Sequence, residues 1–269
     1  MTETLQPFDD LRYTLAQRLR MAWYTGHYFA ARRVTARLRK GDAPPMAGLP
    51  RRQAVIDDLK ALMARERAQI AAGTYRMPHD LFENPLDLID KSLRFFRDLP
   101  VQESRRAEAR VRDVATDDRR GQYPDYYLQN FHHQTDGYLS SDSARLYDFQ
   151  VETLFTGTGD LMRRQGLVPL AAILKGRDQR RLKLLDVATG TGGFLAAVKH
   201  NYPRLPVTGI DLSPDYLAEA RKKLRPWRGV TLTHGNAEKL PFADQTFDVV
   251  TSVYLFHELP AAVRRRAAA

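Results

Sequence analysis

Apolar and polar positions follow one rule over the first 120 residues of this chain and another beyond residue 180. In the front part apolar residues recur at helical spacing, with Leu11, Leu15 and Leu19 four apart and Val55, Leu59, Leu62 and Met63 on a second stripe. Nothing there alternates as a strand would. Breaks are expected at Gly41-Asp42-Ala43-Pro44-Pro45, Gly73 to Pro78, Asn84-Pro85 and Leu99-Pro100. Pro85 opens a further amphipathic stretch with Leu86, Ile89, Leu93 and Phe96 on one face, and the arginine-rich run from Gln102 to Arg120 reads as a polar helix.

The segment from Tyr123 to Ser140 crowds aromatic, amide and histidine residues together without either period, and reads as a structured loop. Ser141-Asp142-Ser143 is placed to cap the helix that follows, whose stripe is Leu146, Phe149, Val151, Leu154 and Phe155. Gly157-Thr158-Gly159 reads as a break in that helix. From Arg181 the pattern changes: Leu182–Ala188, Pro206–Asp211, Val230–Thr233 and Phe247–Val253 are short continuous apolar runs, separated by helical stretches Gly193–Asn201 and Pro214–Leu224. That order predicts a parallel sheet covered on both faces, a doubly wound α/β domain. The domain plan is a helical region 1–122, an aromatic loop and helical cap 123–180, and the α/β domain 181–269.

Composition removes several classes. With no cysteine among 269 residues, a disulfide scaffold, a thiolate nucleophile and sulfur-ligated metal sites are excluded. No stretch of about 18 apolar residues occurs, and the acidic start MTETLQPFDD lacks the order of a secretory signal, so a cytoplasmic location is expected. The net charge of +10 rests on 33 arginines and only nine lysines. They sit as pairs among acids, such as Arg32-Arg33 and Arg163-Arg164, which describes solvated helix faces rather than a nucleic-acid footprint. No nucleic-acid partner is expected.

The sharpest chemistry lies at Leu184-Leu185-Asp186-Val187-Ala188-Thr189-Gly190-Thr191-Gly192-Gly193-Phe194, a buried strand with a carboxylate and a glycine turn that opens a helix. Glycine lets backbone approach a ligand, and the helix N-terminus offers free N–H donors. About 25 residues on, Asp211 ends the next strand, where a carboxylate can accept both hydroxyls of a ribose; Leu212 follows, then Ser213 at the cap and Pro214 in the first turn. Gly235-Asn236-Ala237 follows the third strand.

These three motifs, in this order, resemble the first four strands of a class I S-adenosylmethionine-dependent methyltransferase from about Leu182 to Leu259. Within that superfamily the chain is similar to the branch of the ubiquinone/menaquinone C-methyltransferases. The resemblance implies a Rossmann-like fold and S-adenosylmethionine as cofactor. It implies that Asp186, Ala188, Gly190 and Gly192 form the loop at the methionine end and ribose, that Asp211 and Leu212 serve the ribose, and that Asn236 and Ala237 contact adenine. Ala188 stands where many members carry glycine, and Asn236 where aspartate is commoner. A dinucleotide dehydrogenase fits less well, because its G-x-G-x-x-G fingerprint would need glycine or alanine at Leu195.

The resemblance implies transfer of a methyl group to a small or lipophilic acceptor, C- or O-directed. The aromatic loop is expected to wall that acceptor, with His132, His133 and Tyr138 as contacts, joined by Tyr254 after the fourth strand and by His257 as catalytic base. A metal site on His132, His133, Asp136 and His257 is weighed and set aside; none is expected. Only 84 residues run from Asp186 to Ala269, fewer than a seven-stranded sheet needs, so a C-terminally truncated chain is expected. It would have an open fourth-strand edge available for homodimerisation. Two alternatives follow: a catalytically impaired binding or scaffold protein, and a nucleic-acid methyltransferase, for which no Asn/Asp-Pro-Pro-Tyr/Phe motif is present.

Overall fold

The structure is a computed structural model and describes residues 6–38, 48, 51–108, 112, 114–116, 119–130 and 136–268. The chain divides into two compact units, residues 1–108 with 149–171, and residues 109–148 with 172–269. The helix α4, Ser141–Leu154, passes from the second into the first. Among the described residues no helix is long and apolar enough to cross a membrane.

The first unit contains α1 (Pro7–Leu38), α2 (Arg52–Ala71), α3 (Pro85–Ala107) and α5 (Gly159–Arg164); α6 (Leu167–Leu174) begins in it. Its interior departs from the apolar stripes. Leu11, Leu15 and Leu19 are 50–66% exposed, and Leu86, Ile89 and Leu93 50–75%. The buried face of α1 carries Tyr13, Ala16, Gln17 and Tyr24, and that of α3 Phe95, Leu99 and Glu103. The reason is an ionic interior. Glu66, fully buried on α2, accepts from Tyr13 Oη (2.6 Å) and from Arg164 Nε (2.6 Å), so a carboxylate is satisfied where an apolar contact was expected. Arg20 likewise donates to Glu83, Glu152 (3.3 Å) and Asp160 (2.8 Å).

Two local expectations change here. Leu99-Pro100 does not end a helix, for α3 runs through it. Pro100 is exposed, so the carbonyl that loses its partner can meet water, while Leu99 and Glu103 keep the helix docked on either side. Pro85 opens α3 as the sequence predicts, and Asn84 caps it by accepting from Leu86 N. The helix expected over 102–120 stops at Ala107; the described residues beyond it form turns and a bridge. The predicted break at 41–45 lies outside the described residues.

The second unit is the α/β domain. Strands β1 (Leu184–Val187), β2 (Val207–Asp211), β3 (Val230–His234) and β4 (Val249–Ser252) form one parallel sheet in the order β3-β2-β1-β4. The central strand β1 is buried along its whole length, which is why it reads as a continuous apolar run. The switch in strand order lies between β1 and β4, where a doubly wound sheet opens a crevice at its carboxyl ends. Helices α7 (Gly193–Asn201) and α8 (Pro214–Leu224) occupy the predicted stretches, and α9 (Ala261–Ala267) follows β4. The cap of α4 is Ser140, whose Oγ accepts from Ser143 N (3.2 Å), rather than the 141–143 triplet.

Candidate functional site

At the carboxyl ends of β1 and β2 the backbone leaves the sheet through a strained turn. Ala188 takes φ +58°, Gly190 +56° and Gly192 +77°. The two glycines do different work. A Cβ on Gly190 would meet nothing within 4 Å, whereas one on Gly192 would lie 3.0 Å from Leu224 and 3.2 Å from Ala220. Gly190 therefore faces open space, and Gly192 permits α7 and α8 to pack closely.

Asp211 ties this turn to the next helix. Its Oδ2 accepts from Gly190 N (2.7 Å) and its Oδ1 from Ser213 N (2.9 Å). Burial pushes its carboxyl pKa up, and these backbone N–H groups oppose the shift. Ser213 caps α8 by accepting from Tyr216 N (3.3 Å) and donates to the Tyr138 carbonyl (2.8 Å), which brings the aromatic loop to the same place. Thr191 is fixed from behind, donating to Asp148, which also pairs with Lys223.

Between these elements lies a cavity partly open to solvent. Ala188, Gly190, Asp211, Leu212, Asn236 and Ala237 line one side of it. Asn236 also closes a turn, its Oδ1 accepting from Glu238 N (2.9 Å). Tyr126, Tyr127, Tyr138, Tyr147 and Tyr216 line it as well. Several of these rings meet edge to face: Tyr138 to Tyr216 at 5.5 Å, Tyr147 to Tyr216 at 5.3 Å. Burial raises the phenol pKa of Tyr127, Tyr138 and Tyr216 far above the usual value, so these hydroxyls keep their protons. Tyr126 Oη donates to Glu238 (2.8 Å), which Arg266 holds in turn (2.7 Å), anchoring the loop.

Not every residue that the sequence singles out reaches this cavity. Asp186 is 2% exposed, and its Oδ1 accepts from Thr251 Oγ1 (2.8 Å) across the β1–β4 ladder. It pairs in register with Gly209, two rungs below Asp211, about 7 Å deeper in the sheet. The structure therefore separates the two carboxylates by depth. Gly192 lies behind the wall. Tyr254 lines the cavity at φ +64°, a conformation costly for a side chain with Cβ. His257 is half exposed and off the wall, with Nε2 3.0 Å from Glu258 Oε1. His132 and His133 lie outside the described residues, and with them two members of the metal site weighed from sequence. The sequence reading missed Glu258, which lines the cavity and accepts from Tyr138 Oη (3.3 Å); its signal was a carboxylate beside His257 in the turn after β4.

Comparison with known proteins bears on the same segment. Residues 184–269 match the family model described as a methyltransferase domain. The chain is 44% identical over 118 residues to a demethylmenaquinone methyltransferase of Chlorobaculum parvum, covering 42% of this chain and 45% of that protein. The segment that carries the glycine turn and Asp211 is therefore the one that resembles a methyltransferase domain. The ubiquinone/menaquinone biosynthesis C-methyltransferase UbiE of Desulfotalea psychrophila is 36% identical over 119 residues, 44% of this chain and 46% of its own. A malonyl-(acyl-carrier protein) O-methyltransferase of Xylella fastidiosa is 39% identical over 69 residues, 26% and 23% of the respective chains. The chain spans less than half the length of the curated relatives it matches.

Proposed function

We propose that the α/β unit binds S-adenosylmethionine in the tyrosine-walled cavity and that the chain transfers its methyl group to a small or lipophilic acceptor. The observation that carries this reading is Asp211. Its carboxylate bridges the glycine turn and the α8 N-terminus and borders the cavity beside Ala188, Gly190, Asn236 and Ala237. The residues fit the group: the position of a Cβ on Gly190 is open, so a ribose can approach the backbone there, and Asp211 stands beside it as acceptor.

When bound, S-adenosylmethionine supplies an electrophilic methyl on a sulfonium that leaves as a neutral thioether. The chain's own tasks are then few. Asp211 would accept from the ribose hydroxyls, Asn236 and Ala237 would hold the adenine, and the tyrosine shell would exclude water while keeping its hydroxyl protons. Alignment and desolvation account for most of the rate in such a displacement. The names of the relatives support quinol-type or malonyl-type acceptors.

Calorimetric titration with S-adenosylmethionine tests the site. We expect micromolar binding, weakened more than about tenfold by Asp211→Asn, because a charge-assisted hydrogen-bond acceptor is lost. Absence of heat at millimolar cofactor refutes the reading. Labelled-methyl transfer to a reduced short-chain demethylmenaquinone analogue and to malonyl-(acyl-carrier protein) tests the acceptor.

A further inference from the structure

Two carboxylates border the cavity among the described residues, and their surroundings differ. Asp211 accepts from two backbone N–H groups. Glu258 lies in the turn after β4, fixed by its N–H to Leu255 O (3.0 Å), with Tyr138 Oη and His257 Nε2 both against its Oε1 at 3.3 and 3.0 Å. Its side chain is 17% exposed, that of His257 58%. A line of exchangeable protons therefore runs from the cavity wall to solvent through two consecutive residues.

We propose that Glu258 takes the proton of the methyl acceptor and that His257 passes it to water, so that the acceptor taken here carries an ionisable O–H or an activated C–H. The inference rests on the methyl-transfer reading above and assigns the acceptor class and the base within that site. The tyrosines keep their protons and cannot serve; Tyr138 instead orients the carboxylate by donating to it. In the step, Glu258 forms an O–H bond to the acceptor's proton, and the pair of the broken O–H or C–H bond stays on the acceptor. That pair forms the new bond to the methyl carbon, while sulfur retains the pair of the broken S–C bond. His257 then accepts the proton at Nε2 and releases the one on Nδ1 to solvent, which restores the Glu258 carboxylate, and exchange with water moves the ring proton back from Nε2 to Nδ1 before the next turnover. His257 acts through Glu258 and is a positioning and relay residue.

Glu258→Gln keeps the shape and an acceptor for Tyr138 while removing the base. We expect methyl transfer to the reduced demethylmenaquinone analogue to fall about 100-fold or more. The dissociation constant for S-adenosylmethionine should stay within about threefold. His257→Asn should lower turnover less, and turnover should recover with added imidazole buffer. A second arm needs no turnover and no cofactor: binding of 4-nitrophenol, which ionises near neutral pH. The wild-type carboxylate favours the neutral phenol, so affinity should drop about tenfold between pH 6 and pH 9, and Glu258→Gln should abolish that drop. The charged or titratable groups also lining this space are Asp211, Tyr126, Tyr127, Tyr138, Tyr147, Tyr216 and Tyr254, with His257 beside Glu258, all unchanged between the two proteins. Turnover of Glu258→Gln within threefold of wild type overturns the proposal, as does an identical nitrophenol profile. A tenfold weaker cofactor affinity also overturns it, by making Glu258 a cofactor ligand. Failure of the wild type to bind S-adenosylmethionine at all strikes the site reading instead.

Discussion

Glu152→Gln should stabilise the helical unit at neutral and alkaline pH. Glu152 is 4% exposed and belongs to a cluster in which Arg20 and Arg163 face three carboxylates, Glu83, Glu152 and Asp160. Burial, and then the charge of Asp160, push its pKa from an ordinary 4.5 to about 7, against the pull of Arg20. Below pH 4.5 the group is protonated in both folded and unfolded chains. Between 4.5 and 7 the unfolded chain releases the proton and the folded one retains it, so stability falls as pH rises by up to about 1.4 kcal/mol per pH unit. The full difference corresponds to about 3 kcal/mol. Glutamine keeps one carbonyl oxygen to accept from Asp160 N, loses the acceptor facing Arg20 Nε much as the protonated acid does, and leaves two carboxylates for two guanidinium groups. We expect a gain of about 1–3 kcal/mol at pH 8, shrinking to zero near pH 4.5. Urea unfolding between pH 4.5 and 8.5 measures it. The protein's two tryptophans separate the units: in a Trp227→Phe background, Trp23 fluorescence reports the helical one. A variant less stable than its parent at pH 8, or a gain that does not depend on pH, refutes the reasoning.

The other predictions concern backbone strain and the ionic interior. Ala188→Gly relieves an L-residue at φ +58°, which costs about 1 kcal/mol, so the melting temperature of the α/β unit should rise by a few degrees; a fall contradicts the strained turn. Leu15→Ser, on the exposed stripe of α1, should change stability by less than about 0.5 kcal/mol. Tyr13→Phe removes a hydrogen bond to buried Glu66 and should cost about 1–3 kcal/mol; equal effects of the two in chemical unfolding would reinstate the leucine face as the core.

The contrast between those two substitutions shows where the fold was legible. In the α/β unit local and tertiary signals agree: Ser213 caps, Pro214 starts α8, Gly192 opens α7, and both helices occupy the residues that sequence assigns them. Burial of β1 on both faces leaves an apolar run interrupted within the strand by Asp186 alone, whose Oδ1 accepts from Thr251. The helical unit does not follow its stripes because its interior is polar. Glu66, Arg164, Arg20 and Glu152 can be buried only as mutually satisfied groups, and that pairing joins residues up to 140 positions apart, beyond any periodicity. Pro100 within α3 has the same origin, since long-range docking outweighs a local break signal.

The site divides along the same physical line. Asp211 was legible because its role is set by its neighbours in sequence, a strand end and a capped helix. Asp186 is of the same chemical type and stands far closer to the glycine turn in the chain, yet register with Gly209 sets it two rungs deeper, where Thr251 Oγ1 donates to it. Turns carry no period at all. After β4, with Tyr254 left-handed and Glu258 N closed on Leu255 O, adjacent side chains point different ways, so His257 meets solvent and Glu258 borders the cavity. Sequence singled out His257 and missed Glu258 beside it. On the proposal above, the 3.0 Å between them makes the two residues one proton path with an inner and an outer end, and an acceptor inside the tyrosine wall would meet the inner one.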